Sequence, residues 1–123
     1  MVKNILIVDD SRIMRNIVKN IFLQLKIPCE FVEAADGQEA LQKLLAGEIH
    51  MVLLDWNMPK LLGIDFLKKV RNIERFKELP IIMITSESAK YNVIDAIDAG
   101  VTDYIVKPID EKLFLQKISQ VVI

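Results

Sequence analysis

Short apolar runs recur along this chain, and stretches with helical periodicity lie between them. The five runs occupy positions 5–8, 31–34, 51–54, 81–84 and 104–106. An uninterrupted apolar run is typical of a parallel strand that is covered on both faces. The second run contains Glu33, and this polar residue indicates a strand at the edge of the sheet.

The intervening stretches have the marks of helices. Apolar residues recur at spacings of three and four, and Ser11, Asp36 and Asp110 stand where helix N-caps are expected. Glu39, three residues after Asp36, gives a capping-box pattern. Five strands that alternate with five helices predict a parallel sheet with helices on both faces. The predicted fold class is therefore α/β, a single doubly wound (βα)5 domain, and the flavodoxin-like strand order 2-1-3-4-5 fits five strands best.

Composition and charge exclude several classes of protein. The chain has 123 residues, so we expect residues 1–123 to form one domain. A net charge of −1 gives no electrostatic argument for nucleic acid, and no apolar run approaches the roughly 20 residues of a membrane span. The amino terminus leads into a strand-like run and lacks the pattern of a signal peptide. Cys29 is the single cysteine and cannot form an intrachain disulfide, which fits a reducing cytoplasm. We also expect a monomer.

Polar side chains follow four of the five predicted strands. Asp9 and Asp10 come after the first strand, Asp55 after the third, Thr85 after the fourth and Lys107 after the fifth. In the order 2-1-3-4-5 the first and third strands are neighbours, so the three carboxylates converge. Open parallel sheets bind their ligands at the carboxyl ends of the strands. We therefore expect a functional site at this edge.

Three carboxylates in one crevice repel each other. Unless a cation joins them, at least one should have a raised pKa, and the set should titrate together. Oxygen ligands without His or Cys suit a hard cation, and Mg²⁺ takes one or two protein carboxylates and keeps waters or a phosphate oxygen. A carboxylate beside a metal ion is a competent nucleophile for phosphoryl transfer. Lys107 and Thr85 can each hold an oxygen of the phosphoryl group.

These residues, in this order on alternating strands and helices, resemble the receiver domain of two-component response regulators. The similarity covers the whole chain and is closest to stand-alone chemotaxis regulators of the CheY type. The motifs that carry it are Asp9-Asp10, Asp55-Trp56-Asn57-Met58-Pro59, Thr85 with Glu87, and Tyr104-Ile105-Val106-Lys107-Pro108.

The resemblance implies a role for each matched acid. It implies that Asp55 is the phosphoacceptor, which takes the group from a phosphohistidine on a sensor histidine kinase. Asp10 and Asp55 are then Mg²⁺ ligands, with the backbone carbonyl of Asn57 as a third. Asp9 is expected to hold a water bound to the metal.

Other roles follow from the same resemblance. Lys107 and Thr85 are expected to take part in the phosphoryl chemistry, and Thr85 and Tyr104 form the switch pair, in which Tyr104 turns inward. Asn57 and Glu87 are expected to tune the lifetime of the phosphate. In this family the peptide bond before the proline at Pro108 is often cis.

Two positions depart from the family pattern, and one histidine has no predicted role. Leu62 replaces an acidic residue that often precedes the glycine at Gly63, and Ile109 replaces a frequent Phe after Lys-Pro. Both departures change surface that partners contact. His50 has neither a cysteine nor a second histidine near it, so we expect a surface loop residue.

The implied function is a signalling switch that phosphorylation activates and that changes partner binding in chemotaxis or flagellar motor control. The expected partners are the kinase, a flagellar motor switch protein and a phosphatase, with no nucleic acid and no membrane. Self-phosphorylation from phosphodonors and autodephosphorylation are the only expected catalysis. Two variants of this function stay open: a receiver cut from a larger response regulator, and a phosphorelay intermediate.

Two other functions share parts of this pattern. A flavin-binding electron carrier has the same strand order, but it needs a hydroxyl- or Gly-rich phosphate loop where this chain has Asp9 and Asp10. A Mg²⁺-dependent phosphohydrolase uses a similar carboxylate and ion. It usually also needs a cap domain, for which we expect 123 residues to leave no room.

Overall fold

The strands form one parallel sheet in the predicted order. The computed structural model describes residues 3–56, 61–86 and 90–122. In these ranges five strands pair in the order β2-β1-β3-β4-β5, all of them parallel. They are β1 (Lys3–Val8), β2 (Cys29–Ala34), β3 (Met51–Asp55), β4 (Ile81–Ser86) and β5 (Asp103–Lys107). The predicted order 2-1-3-4-5 is confirmed, and so is the edge position of β2.

Helices alternate with the strands and cover both faces of the sheet. They are α1 (Arg12–Gln24), α2 (Gly37–Ala46), α3 (Gly63–Arg71), α4 (Lys90–Asp98) and α5 (Glu111–Val122), with a 3₁₀ turn at Glu74–Phe76. One apolar cluster joins α1 and α5 to the sheet, where the rings of Phe22 and Phe114 lie 5.5 Å apart. The other joins the opposite face to α2, α3 and α4 through Leu44, Phe66 and Ala96. Within the described ranges, no helix has the length and apolar character needed to cross a bilayer.

The predicted caps begin three of the helices. The side chains of Ser11 and Asp36 each accept a hydrogen bond from the third residue of the helix that follows. Asp110 accepts hydrogen bonds from two backbone N–H groups at the start of α5. The capping box is confirmed only in part. Glu39 accepts from the backbone N–H of Ala35, one residue before the cap, at 3.0 Å.

One arginine ties together the loops that enter β4 and β5. The guanidinium of Arg71, in the last turn of α3, donates to the carbonyl oxygens of Phe76, Leu79 and Gly100 at 2.8, 2.7 and 2.8 Å. A planar guanidinium can satisfy several carbonyl groups at once. The amino ends of β4 and β5 are therefore held together at the edge of the sheet opposite the carboxyl ends.

Candidate functional site

The strand register brings the three acidic side chains together. Val8 of β1 pairs with Leu54 of β3. Asp9 and Asp55 are the next residues after this pair, so they lie side by side. Carboxylate oxygens of Asp9, Asp10 and Asp55 lie within 4.8 Å of one another. Asp9 and Asp55 are buried, whereas Asp10 is exposed. The predicted convergence is confirmed, with one acid of the three open to solvent.

Lys107 reaches the same crevice from β5. Lys107 pairs with Ser86 at the end of β4, and its side chain extends past that strand toward β3. The Nζ atom donates to Oδ1 of Asp55 at 3.1 Å and lies 3.8 Å from Oδ2 of Asp9. One ammonium group thus faces both buried carboxylates.

Burial dominates the electrostatics of the two buried acids. Burial raises the pKa of Asp55, the charge of Asp9 raises that pKa further, and Lys107 opposes both effects without cancelling them. Burial also raises the pKa of Asp9, although its Oδ1 accepts a hydrogen bond from the backbone N–H of Ser11 at 2.9 Å. Both buried acids thus have a raised pKa, as predicted for at least one, but burial contributes more than repulsion between the acids. Joint titration of the set stays a prediction.

The donor atoms fit a hard divalent cation. The described acids offer carboxylate oxygens only, with no imidazole or thiolate in the group. Such oxygens are the ligands that Mg²⁺ and Ca²⁺ take in proteins, and the exposed Asp10 leaves the site open to solvent. The backbone carbonyl of Asn57 and the side chain of Glu87 lie outside the described residues.

The predicted switch pair lies on one face of the sheet. Ile84 of β4 pairs with Asp55, and Thr85 is the next residue along that strand. The side chain of Thr85 is buried. Tyr104 on β5 pairs with Met83, two residues before Thr85. Side chains two residues apart on a strand share a face, so Thr85 and Tyr104 face the same side. Tyr104 is half-buried against the apolar cluster of α2, α3 and α4.

Two residues that support the site were not predicted. A Cβ atom added to Gly63 would lie 2.4 Å from the carbonyl oxygen of Asp55, and its backbone N–H donates to the carbonyl of Trp56 at 3.0 Å. Gly63 therefore lets α3 begin directly against the end of β3. Arg15 donates to the carbonyl oxygen of Asp9 and to Glu33. The glycine at the start of a predicted helix could have indicated the role of Gly63. No pattern in the sequence indicates the partners of Arg15.

The structure also places the predicted proline and the residues that depart from the pattern. The peptide bond between Lys107 and Pro108 is cis, as predicted. Leu62 is 45% exposed and occupies the N-cap of α3 without a side-chain hydrogen bond. Ile109 is half-buried against the cluster of α1 and α5, so this substitution changes packing as well as surface. His50 lies in a loop as expected, but its Nδ1 accepts from the backbone N–H of Asn4 at 2.9 Å.

This arrangement of strands and acids matches a known family. The family model for the response regulator receiver domain matches residues 5–119. The chain belongs to this family. Chemotaxis protein CheY1 of Helicobacter pylori (strain ATCC 700392 / 26695) is 48% identical to this receiver domain over 118 residues, which cover 95% of the chain and 94% of the relative. The similarity to CheY-type chemotaxis proteins is confirmed.

Solved structures agree with the fold of this receiver domain. The chemotaxis response regulator CheY4 of Vibrio cholerae superposes with a TM-score of 0.88 at 31% identity, covering 98% of this chain and 99% of that one. The receiver domain of sensor histidine kinase PA1611 from Pseudomonas aeruginosa has a TM-score of 0.87 at 21% identity, and its active-site cleft coordinates a magnesium ion. That alignment covers 99% of this chain and 98% of the other. At this identity the second likeness concerns the fold alone.

Proposed function

We propose that this receiver domain is a signalling switch in which Asp55 accepts a phosphoryl group from a sensor histidine kinase. The observation that carries the proposal is the setting of Asp55, buried at the end of β3 with Lys107 at 3.1 Å. A carboxylate oxygen of Asp55 forms the new bond to phosphorus. The P–N bond of the phosphohistidine breaks, and the imidazole leaves with its electron pair.

Mg²⁺ is the proposed cofactor. Asp10 and Asp55 would hold it directly, with the backbone carbonyl of Asn57 as a third ligand and Asp9 acting through a water. The oxygen-only donor set of Asp9, Asp10 and Asp55 supports this assignment. When bound, the ion supplies positive charge against the carboxylates and the phosphoryl oxygens.

Lys107 and Thr85 are proposed to stabilise the negative charge of the phosphoryl group on Asp55. The Lys107 ammonium already lies within hydrogen-bond distance of Asp55, so it can donate to a phosphoryl oxygen placed there. Thr85 lies on the strand next to β3 and offers a hydroxyl group from a buried position. A shift of Thr85 toward the phosphoryl group would open space that Tyr104, on the same face, can enter. Asn57 and Glu87 are proposed to tune the lifetime of the phosphate.

The proposed setting is chemotaxis or flagellar motor control. The kinase, a flagellar motor switch protein and a phosphatase are the proposed partners, and the similarity to chemotaxis protein CheY1 supports this setting. Residues 1–123 are proposed to act as one receiver domain, a cytoplasmic monomer whose only catalysis concerns its own phosphoryl group.

Labelling with acetyl phosphate tests the proposal. In the presence of Mg²⁺ we expect one added phosphoryl group by intact mass, and peptide mapping should place it on Asp55. The Asp55→Asn variant and a chelator should each abolish the label. Asp65→Asn, which neutralises an exposed acid in the first turn of α3, is the matched control and should label normally. A label on Ser86 or His50 would refute the assignment of Asp55.

A further inference from the structure

A lysine of α5 contacts the proposed switch residue. Nζ of Lys117 lies 4.6 Å from the centroid of the Tyr104 ring. The same atom donates to the backbone carbonyl of Tyr104 at 2.6 Å and to Oδ1 of Asp103 at 2.9 Å. The side chain of Lys117 is 19% exposed, so its ammonium is partly withdrawn from water. An ammonium over an aromatic face is attracted by the negative potential of the ring, more strongly when water is displaced.

The position of this ammonium does not depend on the Tyr104 ring. Asp103 holds Lys117 through an ion pair and also accepts the backbone N–H of Tyr104 at 2.8 Å. Lys117 is thus held by the Asp103 carboxylate and by the backbone carbonyl of Tyr104. Neither group has to move when the Tyr104 side chain rotates. Among the contacts of Lys117, the one between charge and ring is the contact that distinguishes one conformation of Tyr104 from another.

We propose that Lys117 is a positioning residue that favours the observed conformation of Tyr104 and so sets how readily phosphorylation of Asp55 moves the switch. This inference rests on the proposed function for its consequence in signalling, although the contact itself does not. Loss of a partly exposed cation–π contact should change the ratio of the two Tyr104 conformations by about two- to fivefold. A two-state switch changes its response to a ligand by the same factor.

Fluorine NMR at Tyr104 measures the ratio directly. Tyr91 and Tyr104 are the two tyrosines of the chain, so 3-fluorotyrosine in a Tyr91→Phe background reports on Tyr104 alone. Without beryllofluoride, Lys117→Met should lower the ratio of the observed Tyr104 conformation to the other about two- to fivefold, and Lys117→Arg should match the parent. Lys112→Met removes the same charge from an exposed position on α5 and should leave the signal unchanged.

A second variant keeps the test independent of folding. Asp103→Asn retains an oxygen for the backbone N–H of Tyr104 but weakens the ion pair that holds Lys117, so it should shift the ratio in the same direction by a smaller factor. Circular dichroism and the fluorescence of Trp56 establish that each variant is folded. Identical Tyr104 signals in folded Lys117→Met, Asp103→Asn and the parent would overturn the role of Lys117.

Beryllofluoride with Mg²⁺ connects the contact to the switch. The concentration that converts half of the protein should change in Lys117→Met by the factor found without the ligand, and Lys117→Arg should match the parent. An unaltered midpoint beside a changed ratio would refute the effect of Lys117 on switching. A parent protein whose Trp56 and Tyr104 signals ignore beryllofluoride would contradict the proposed function instead, while the ligand-free comparison would still decide the contact.

Discussion

At the scale of single residues, the buried acids of the crevice oppose the stability of the fold. Asp9 and Asp55 lose hydration on burial and lie close enough to repel each other, and Lys107 compensates only in part. A group with a raised pKa in the folded state binds its proton more tightly there than in the unfolded chain. The free energy of unfolding must then fall as pH rises from the ordinary value of 3.8 through the raised pKa.

The Asp55→Asn variant should lack the part of this fall that Asp55 contributes, while the part due to Asp9 remains. With chelator present, we expect it to be more stable than the parent near neutral pH, because the buried charge and its repulsion with Asp9 are gone. Lys107 retains Asp9 as a partner at 3.8 Å. The advantage should vanish below pH 3.8, where the parent carboxyl group is protonated. Urea unfolding across this pH range measures the difference, and an advantage that does not depend on pH would contradict the pKa argument.

At the scale of secondary structure, the junction of β3 and α3 positions Asp55. The first residue of α3 is Gly63, which lies too close to the carbonyl oxygen of Asp55 for any side chain. The contact is with backbone, which cannot rotate out of the way. The glycine therefore sets how near the helix approaches Asp55, the proposed phosphoacceptor.

The Gly63→Ala variant should lose about 1–3 kcal/mol of unfolding free energy, the usual range for overpacking. It should also label more slowly with acetyl phosphate, since Asp55 must move. Gly47→Ala is the matched control, because its Cβ would meet only a carbonyl oxygen of Lys43 at 3.5 Å. Chemical denaturation compares the two, and equal stability of both variants would show that the junction yields without strain.

The sequence predicted the elements and the acids of the site for identifiable reasons. Continuous apolar runs mark the strands, side-chain caps mark three helix starts, and the strand order brings Asp9 to Asp55. Contacts that depend on the path of a loop or the rotation of a helix left no such signal. The approach of Gly63 to Asp55 and the position of Lys117 over Tyr104 are of this kind.

At the scale of the whole molecule, the carboxyl ends and the amino ends of the strands differ. The acids, Thr85 and Lys107 lie at the carboxyl ends of the strands, Asp55, Thr85 and Lys107 within the last residues of β3, β4 and β5 and Asp9 and Asp10 directly after β1. Arg71 holds together the amino ends of β4 and β5, where Ile81 and Thr102 also exchange hydrogen bonds, each at 2.9 Å. A change that starts at Asp55 should therefore travel along β4 and β5 while their amino ends remain in place.

Amide hydrogen exchange with and without beryllofluoride tests this path. We expect changed protection in α4 and in β5 around Tyr104, and unchanged protection at the amides of Ile81 and Thr102. The Asp55→Asn protein should show neither change, which controls for binding elsewhere. Changes confined to the immediate surroundings of Asp10, Asp55 and Lys107 would rule out Tyr104 as the relay.

The single described cation of the crevice has a kinetic consequence. With all three acids ionised, Asp9, Asp10 and Asp55 outnumber Lys107, so the described groups present an anionic entrance to an incoming phosphodonor. A small free anion must diffuse against this potential, and dissolved salt weakens the repulsion over about 10 Å at 0.1 M. A phosphohistidine on a docked protein is held at the entrance by contacts elsewhere. Without a metal ion, the charge of the crevice should therefore slow a free phosphodonor more than one carried by a docked protein, and bound Mg²⁺ would balance the net charge of these four groups and remove that difference.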